Sequence, residues 1–441
     1  MDGHRTRTLY IRTLGCPKNE ADSEHLRGLL EGAGYRSVPD PDDADVVIVN
    51  TCSFIDAARR ESVDAVLDEV SRREDGQRVI VAGCLVERYG PELAAELGEV
   101  DAFMSLGSYG QAPAIVDAAA GGVRQERFDA GKVPIELGSR AAPSGPTAYV
   151  KISEGCDRTC TFCAIPSIRG GHRSRTPDAI EDELRWVVAR GAKEVVLVAQ
   201  DMSLYGRDTT GRWGLPDLLR RLGDTEGLHW LRMLYQYPRY VDDALLDAVA
   251  ESRAAIPYFD LSLQHASGRL VRAMKRWGDG ERFLELIAKI RDRFPDAALR
   301  SAFIVGFPGE TDEDVEELAE FLAQARIDWA GFFPFSSEEG TEAGAFTEDL
   351  VAPEVAQRRA EALAFVQADI AEAERTAMIG TDVEVLVEQR EGTDVVGRTW
   401  REAPEVDGSV TVRGARAVRV GDMVRARVVA SDGVDLVAEV E

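Results

Sequence analysis

Short apolar runs alternate with amphipathic, helix-like stretches over most of the chain, and this alternation constrains the fold more than any other feature. Strands buried on both faces of a parallel sheet appear as continuous apolar runs, and the helices between them carry one apolar stripe. The alternation therefore predicts an α/β protein. In residues 1–120 it predicts a small open parallel sheet, with strands at 8–14, 45–50 and 78–82 and helices at 19–32 and 55–73.

A second series of strand–helix units follows a segment rich in Gly, Ala and Pro, which we interpret as a linker over 121–146. Thr176-Pro177 and the pair Thr311 and Asp314 are typical helix starts within this series. Six units indicate a partial (βα)6 barrel with fewer units than the eight of the TIM type. Its strands are predicted at 148–152, 194–199, 230–235, 258–263, 299–305 and 329–333.

The last part of the chain changes period. A long helical pattern over 353–379 is followed by short runs with a period of two, at 383–387, 409–412 and 423–427. Several short strands in such a segment predict a small antiparallel β-barrel. The predicted domains are thus 1–120, 147–376 and 377–441.

Composition limits the possible functions. A 44% hydrophobic content is that of an ordinary globular protein, and no apolar run approaches the ~20 residues of a membrane span. Residues 1–5 lack the apolar stretch of a signal peptide, so we expect a cytoplasmic protein with no membrane partner. The net charge of −26 argues against stable DNA binding, which needs clustered basic residues. In a reducing cytosol the six cysteines would remain thiols.

Three cysteines stand close together after the first strand of the second series, as Cys156, Cys160 and Cys163. Iron–sulfur clusters are usually held by four thiolates, so three on one loop predict a 4Fe–4S cluster with one iron open to another ligand. Zinc is the main alternative, but structural zinc sites normally close with four ligands. His172 is the nearest candidate for a fourth. Three unrelated buried thiols are the remaining alternative.

The other cysteines, Cys16, Cys52 and Cys84, lie 36 and 32 residues apart, and each follows a predicted parallel strand. The carboxyl ends of parallel strands share one edge of a sheet, where ligands bind. Small neighbours such as Gly15 and Gly83 leave room for a bulky inorganic group. We therefore predict a second cluster, again with one open iron; three buried structural cysteines are the alternative.

The spacing of the close triplet resembles that of the radical S-adenosylmethionine superfamily. This resemblance implies that the open iron chelates the methionine part of the cofactor and that electron transfer releases a 5′-deoxyadenosyl radical. Phe162 matches an aromatic position near the adenine. At other strand ends, where a plain strand-to-loop turn is the alternative, the resemblance implies cofactor contacts by Gln200 and Asp201 (amino group), Ser262 and Gln264 (ribose), and Val305 and Gly306 (adenine).

Two such sites on one chain, followed by a small β-barrel, resemble the methylthiotransferases over nearly the whole chain. The resemblance is closest to the branch that modifies an aspartate of ribosomal protein twelve of the small subunit. The alternative is the branch that modifies an adenosine in tRNA, which typically has Gly-Cys-Gln-Met-Asn where this chain has Gly-Cys-Pro-Lys-Asn. The resemblance implies two 4Fe–4S clusters, S-adenosylmethionine and a terminal barrel of the TRAM, OB-like type. It is most specific in segments 14–19, 165–170, 262–267, 337–341 and 397–400.

Charge favours the protein-modifying branch. Residues 378–441 hold eight arginines, no lysine and thirteen acidic residues, a net charge of −5. An acidic barrel suits a basic ribosomal protein better than RNA. Arg413, Arg416 and Arg419 still leave room for a small positive stripe. We expect Glu338 and Glu339 to belong to solvated surface, with contact to the substrate as the alternative.

The resemblance also implies a division of labour. The β C–H bond of an aspartate is not acidic enough for removal by an ordinary base, so we expect radical abstraction. The cluster at Cys156, Cys160 and Cys163 would supply the electron, and the cluster at the other three cysteines would present sulfur. A second S-adenosylmethionine would supply the methyl group. An electron donor such as flavodoxin or ferredoxin and an unidentified sulfur source complete the expected partners.

Overall fold

The computed structural model describes residues 6–128, 131–136 and 138–440. The prediction that the amino terminus lacks a signal peptide concerns residues 1–5, which lie outside these ranges. Among the described residues, no helix combines the length and the apolar character needed to cross a membrane.

The amino-terminal part is a six-stranded parallel sheet in the order β2-β1-β3-β4-β5-β6, with helices between its strands. It contains the three predicted strands and three short ones that have no long apolar run. One of these, β6, lies inside the segment predicted as a linker, because three polar residues there pair with the edge of the sheet. The strands are β1 Thr8–Thr13, β2 Arg36–Ser37, β3 Val46–Thr51, β4 Arg78–Gly83, β5 Ala102–Met104 and β6 Gln125–Arg127, and the helices are α1 Pro17–Gly32, α2 Asp56–Arg72, α3 Cys84–Glu96 and α4 Ala112–Ala120.

The central part is an open partial barrel. Its parallel strands form two sheets, β7-β10-β11 and β12-β13-β14, which two parallel bridges, Leu231 to Ala255 and Gln236 to Leu261, join between β11 and β12. The short antiparallel pair β8 and β9 flanks the loop that carries three cysteines. The strands are β7 Thr147–Lys151, β8 Ser153–Glu154, β9 Arg173–Ser174, β10 Glu194–Val198, β11 Trp230–Met233, β12 Tyr258–Gln264, β13 Ala298–Val305 and β14 Trp329–Pro334.

The helices of this part lie outside the strands and bury their apolar stripes against them. Both predicted helix starts are present: Thr176 accepts a hydrogen bond from the backbone of Ala179, and Thr311 and Asp314 form a capping box. The helices are α5 Ile165–Arg169, α6 Pro177–Val188, α7 Arg207–Thr210, α8 Leu215–Gly223, α9 Asp243–Glu251, α10 Gly268–Ala273, α11 Gly280–Arg293, α12 Asp312–Ala325 and α13 Pro353–Ala377.

The carboxyl-terminal part is a closed five-stranded barrel in the order β15-β16-β17-β19-β18. It differs from the predicted antiparallel barrel in one pairing, because β17 and β19 run parallel. Its small core consists mainly of valines from alternate strand positions. The strands are β15 Asp382–Glu391, β16 Asp394–Arg398, β17 Val410–Arg413, β18 Met423–Asp432 and β19 Asp435–Val440.

A buried ion pair fastens this barrel to the central part. Arg398 Nη2 donates to Glu194 Oε2 at 2.6 Å, and Glu194 Oε1 accepts from Arg232 Nε at 2.6 Å. All three side chains are buried. Two arginines thus bind the same carboxylate. Through Arg398, the segment 397–400 contributes to the contact between the two domains.

Candidate functional site

The three amino-terminal cysteines lie at the carboxyl ends of three neighbouring strands. Cys16 follows β1 at the start of α1, Cys52 directly follows β3, and Cys84 is the first residue of α3 after β4. Because β1, β3 and β4 are adjacent in the sheet, the thiols lie at one edge. The fold therefore brings together the residues of the predicted second triad.

Two glycines make this approach possible. Gly15 has a φ of +96°, and a Cβ there would lie 2.6 Å from Cys52 Cβ and 2.9 Å from Cys52 Sγ. Gly83 has a φ of +100°, and a Cβ there would lie 2.5 Å from Asn50 Oδ1 and 2.6 Å from the Thr51 carbonyl oxygen. Only glycine meets both the left-handed backbone and the lack of space. The small residues beside the cysteines thus allow close packing of the strand ends.

The thiols of this triad interact with one another. Burial, and then the charges of the nearby Cys16 and Cys84, raise the pKa of Cys52 to about 12. Burial also raises the pKa of Cys84, while the charge of Arg169 opposes that rise. Thiolates held this way repel each other and are poorly solvated, which is the situation that a bound metal cluster relieves.

The second triad lies on the loop between β8 and β9. The Cys156 backbone N–H donates to the Gly170 carbonyl at 3.1 Å, which closes the base of the loop. The Arg158 backbone N–H points at Cys156 Sγ over 3.4 Å, and Arg276 Nη1 lies 3.6 Å from Cys160 Sγ. Burial raises the pKa of Cys156 to about 11 and that of Cys163 to about 12. The loop thus presents three thiols with donors already directed at two of them.

A single zinc ion has no ready site here. Within the described ranges, no group of three or more His, Cys, Asp or Glu side chains is placed to hold one metal ion. His172 directs Nε2 at Ser174 Oγ, 3.0 Å away, and at Asp208. A cubane carries its thiolates on separate iron corners, so its ligands stand further apart than those of one ion.

Gln200 and Asp201, the predicted contacts to the cofactor amino group, differ in whether a hydrogen-bond acceptor is still free. Gln200 Nε2 donates to Glu154 Oε1 at 2.7 Å, while its buried Oε1 has no hydrogen-bond partner among the described residues. Asp201 already accepts from Arg158 Nε at 2.7 Å and from the Ser203 backbone. Gln200 therefore keeps an acceptor for a ligand amino group, and Asp201 braces the cysteine loop.

The other predicted cofactor contacts lie at the ends of β12 and β13. The Ser262 carbonyl accepts from Arg276, and Gln264 has a φ of +75°. Val305 is buried, and Gly306 has a φ of +78°. A Cβ at Gly306 would lie 2.3 Å from a side-chain carbon of α13, and its N–H already donates to Glu310, so helix packing alone requires this glycine.

Phe162, the predicted adenine neighbour, packs between the second and third cysteines of the loop against a small apolar cluster. That cluster includes Leu270 and Met274 of the α10 region and Phe307. The aromatic side chain thus packs against residues that follow the carboxyl ends of β12, β13 and β14. Its contact with the cofactor stays a prediction.

The sequence did not reveal a network of buried charges that connects the two triads. Arg169 Nη1 lies 3.0 Å from Asp22 and 3.2 Å from Glu154, and Lys151 Nζ donates to both of these carboxylates at 2.7 Å. Burial alone would raise the pKa of Glu154, but the charges of Lys151 and Arg169 hold it below its usual range. One indication of this network was present in the sequence: Glu154 lies next to the cysteine loop, and Arg169 lies in segment 165–170, one of the segments with the most specific family resemblance.

The expectation for Glu338 is wrong. Its side chain is 1% exposed and accepts from Arg88 Nη1 at 2.7 Å and from Arg59. The neighbouring Glu339 is exposed, as expected. The sequence could not show this, because both arginines stand about 250 residues or more before Glu338 and lie in the amino-terminal part.

Comparisons with known proteins agree with this architecture. The model of the radical SAM superfamily matches residues 150–322, that of the uncharacterized protein family UPF0004 matches 8–105, and that of the TRAM domain matches 379–440. Each cysteine triad thus falls inside its own family match.

Relatives named ribosomal protein uS12 methylthiotransferase RimO are similar over nearly the whole chain. The Thermotoga maritima protein is 42% identical over 97% of this chain and 98% of its own length. The Moorella thermoacetica protein is 45% identical over 92% of each. The Saccharopolyspora erythraea protein is 40% identical over 98% of this chain and 95% of its own length.

Solved structures share the fold at low identity. The radical S-adenosylmethionine methyltransferase TsrM from Kitasatospora setae, with cobalamin and a [4Fe-4S] cluster bound, has a TM-score of 0.54 at 16% identity and covers 77% of each chain. The radical enzyme OxsB in its apo form has a TM-score of 0.51 at 10% identity, over 82% of this chain and 56% of its own. These likenesses show the fold alone.

Fold and site together define a radical S-adenosylmethionine methylthiotransferase. The chain belongs to the RimO family. The predicted fold class, enzyme class and cofactors, S-adenosylmethionine and 4Fe–4S clusters, are thereby confirmed. The roles of individual residues stay predictions, although two sets of three thiols and the unpartnered Oε1 of Gln200 fit these cofactors.

Proposed function

We propose that this chain methylthiolates the β carbon of an aspartate in ribosomal protein uS12, with its two cysteine triads as the ligands of two 4Fe–4S clusters. One observation carries the proposal: relatives named ribosomal protein uS12 methylthiotransferase RimO match nearly the whole chain at 40–45% identity. Geometry supports it, because Arg169, six residues after Cys163 of one triad, lies 3.3 Å from Cys84 Sγ of the other. A substrate carbon between the triads would lie between a radical source and a sulfur donor.

The residues of the chain would mainly bind, orient and exclude water. When bound, the barrel cluster and S-adenosylmethionine supply a carbon radical that can remove hydrogen from an unactivated C–H bond. Arg276, beside Cys160, offsets negative charge on the thiolates there. Glu154, kept ionised by Lys151 and Arg169, holds Gln200 with its free oxygen available to an amino group.

Charge supports a basic protein substrate. The chain carries −26, so a cationic ribosomal protein is attracted and oriented over a long range. The TRAM match supports RNA contact as a second proposed feature, for which the exposed Arg413, Arg416 and Arg419 of the terminal barrel are candidates. We propose that this happens in the cytoplasm, with a flavodoxin or ferredoxin as electron donor and a separate sulfur source.

Mass spectrometry of uS12 from cells with and without this gene tests the substrate. The proposal predicts a methylthio mass increase on one aspartate that disappears with the gene. A change in modified tRNA adenosine with uS12 unaltered would refute it.

Two variants of the purified enzyme test the division of labour. Cys160→Ala should abolish production of 5′-deoxyadenosine, because the cofactor loses its cluster. Cys52→Ala should retain that production and lose methylthiolated product. Normal product from the Cys52 variant would show that the amino-terminal triad is not the sulfur donor.

A further inference from the structure

Lys18 is a buried lysine that pairs with no carboxylate in the described part of the chain. It lies in the first turn of α1, two residues after Cys16, and its residue exposure is 6%. No hydrogen bond or ion pair joins its ammonium to another residue in the described ranges. Burying an ammonium without a paired carboxylate is costly, so an anion that binds beside Lys18 would stabilise it.

The neighbouring acidic groups are already engaged. Glu154 accepts from Lys151, Arg169 and Gln200, and Asp22 contacts Lys151 and Arg169. The positive charges of Lys151 and Arg169 are thus balanced by these two carboxylates. Lys18 makes none of these contacts in the described ranges, and the charges that act on it include those of Cys16 and Cys84.

Tyr235, a residue of the central part, supplies a second observation. Its ring centroid is 5.8 Å from Lys18 Nζ, and it lies just past the end of β11. Its φ is +61°, a left-handed conformation that is rare for an aromatic residue, and its N–H donates to Asp260 at 2.9 Å. Strained residues of this kind concentrate at ligand sites.

In the proposed reaction two carboxylates would come near the triads: that of the methionine part of S-adenosylmethionine and that of the substrate aspartate. The second is attached directly to the β carbon that reacts, so it must lie in the same space as the reacting atoms. The cofactor carboxylate belongs with the barrel triad, whereas Lys18 is on the helix that begins at the sulfur-donor triad.

We propose that Lys18 binds the side-chain carboxylate of the substrate aspartate and thereby selects aspartate over its uncharged analogue. This inference rests on the proposed function. A buried cation discriminates strongly against a neutral amide of the same shape, because the amide leaves the charge uncompensated.

The test uses two synthetic peptides that cover the uS12 target, one with the aspartate and one with asparagine in its place. Binding of each peptide and of S-adenosylmethionine is measured with the reconstituted enzyme, and iron content is measured in parallel. The variants are Lys18→Met, which keeps length without charge, and Lys18→Arg, which keeps the charge. Lys132→Met, at an exposed lysine, is the matched control.

We expect the ratio of the affinities for the aspartate and asparagine peptides to fall at least about tenfold in Lys18→Met. Lys18→Arg and Lys132→Met should keep most of this ratio. An unchanged preference in Lys18→Met would overturn the inference. So would weaker S-adenosylmethionine binding with the preference retained, since the carboxylate would then be the cofactor's. A loss of iron with the preference retained would assign Lys18 to charge compensation of the thiolates instead.

Failure of this inference can be told from failure of the proposed function. If the wild-type enzyme does not methylthiolate the aspartate peptide, the proposed function fails. If it does and Lys18→Met still prefers aspartate, only the role of Lys18 fails.

Discussion

Arg169 of the central barrel donates to Sγ of Cys84 in the amino-terminal domain over 3.3 Å. The same guanidinium contacts Glu154, which holds Gln200 at the other site. A single buried side chain therefore connects a thiol of one triad to the residues around the other. The packing between the two domains therefore determines where the triads lie relative to each other.

Replacing Arg169 by Met should destabilise the protein by about 3–5 kcal/mol, because it leaves buried carboxylates of Asp22 and Glu154 short of positive charge. Urea unfolding of the two proteins measures the difference. Arg185→Met is the control: its side chain is 64% exposed and its partner Glu181 keeps a second ion pair with Arg221, so the change should be within about 0.5 kcal/mol. Equal effects of the two substitutions would show that the buried network contributes nothing.

Glu338→Gln should cost about 2–3 kcal/mol, because it removes a buried carboxylate that accepts from Arg59 and Arg88. The adjacent, exposed Glu339 offers a matched control, and Glu339→Gln should be nearly neutral. Thermal unfolding distinguishes them. If the two variants unfolded at the same temperature, the contact between Glu338 and the amino-terminal domain would not stabilise the fold.

Gly83→Ala should cost about 1–3 kcal/mol and displace Cys84, because its backbone is left-handed and a Cβ would overlap Asn50 and Thr51. We expect the reconstituted variant to hold about four irons in place of about eight. Gly98→Ala, where a Cβ meets nothing within 4 Å, should keep the full content. Full iron content in the Gly83 variant would contradict the tight packing described for this strand end.

The free energy of unfolding should fall as the pH rises from about 4.5 to about 7, because the Glu20 carboxyl loses its proton over this range. Burial, and then the charges of Glu405 and Glu24, raise its pKa to about 7 in the folded state, from an ordinary value of 4.5. The folded state therefore holds a proton that the unfolded chain releases, and stability falls through this range. Glu20→Gln should flatten the dependence in denaturant titrations, whereas Glu31→Gln on the same helix should leave it unchanged. A flat profile in the wild type would refute this assignment.

The sequence allowed the architecture around the cysteines to be predicted because it is local and periodic. Strands β1, β3 and β4 are apolar runs that end at a cysteine, so their alignment in a parallel sheet determines the first triad. The second triad lies on one loop. In contrast, β5 and β6 have three residues each, too few for a periodic signal, and the parallel pairing of β17 with β19 depends on a long connection.

The contacts between domains could not be predicted in the same way. Glu338 resembles a solvated glutamate, and only the packing of the barrel against α2 and α3 makes it a buried partner of Arg59 and Arg88. Arg169 and Asp22 are likewise 147 residues apart. No local pattern encodes such pairs, since charge and burial are decided by where two separately folded surfaces meet.

The central claim is that each cysteine triad holds its own 4Fe–4S cluster, and iron and sulfide content after anaerobic reconstitution tests it most directly. The wild-type chain should bind about eight irons, and changing either Cys16, Cys52 and Cys84 or Cys156, Cys160 and Cys163 to Ala should leave about four. A chain without Cys16, Cys52 and Cys84 that still bound as much iron as the wild type would contradict the account.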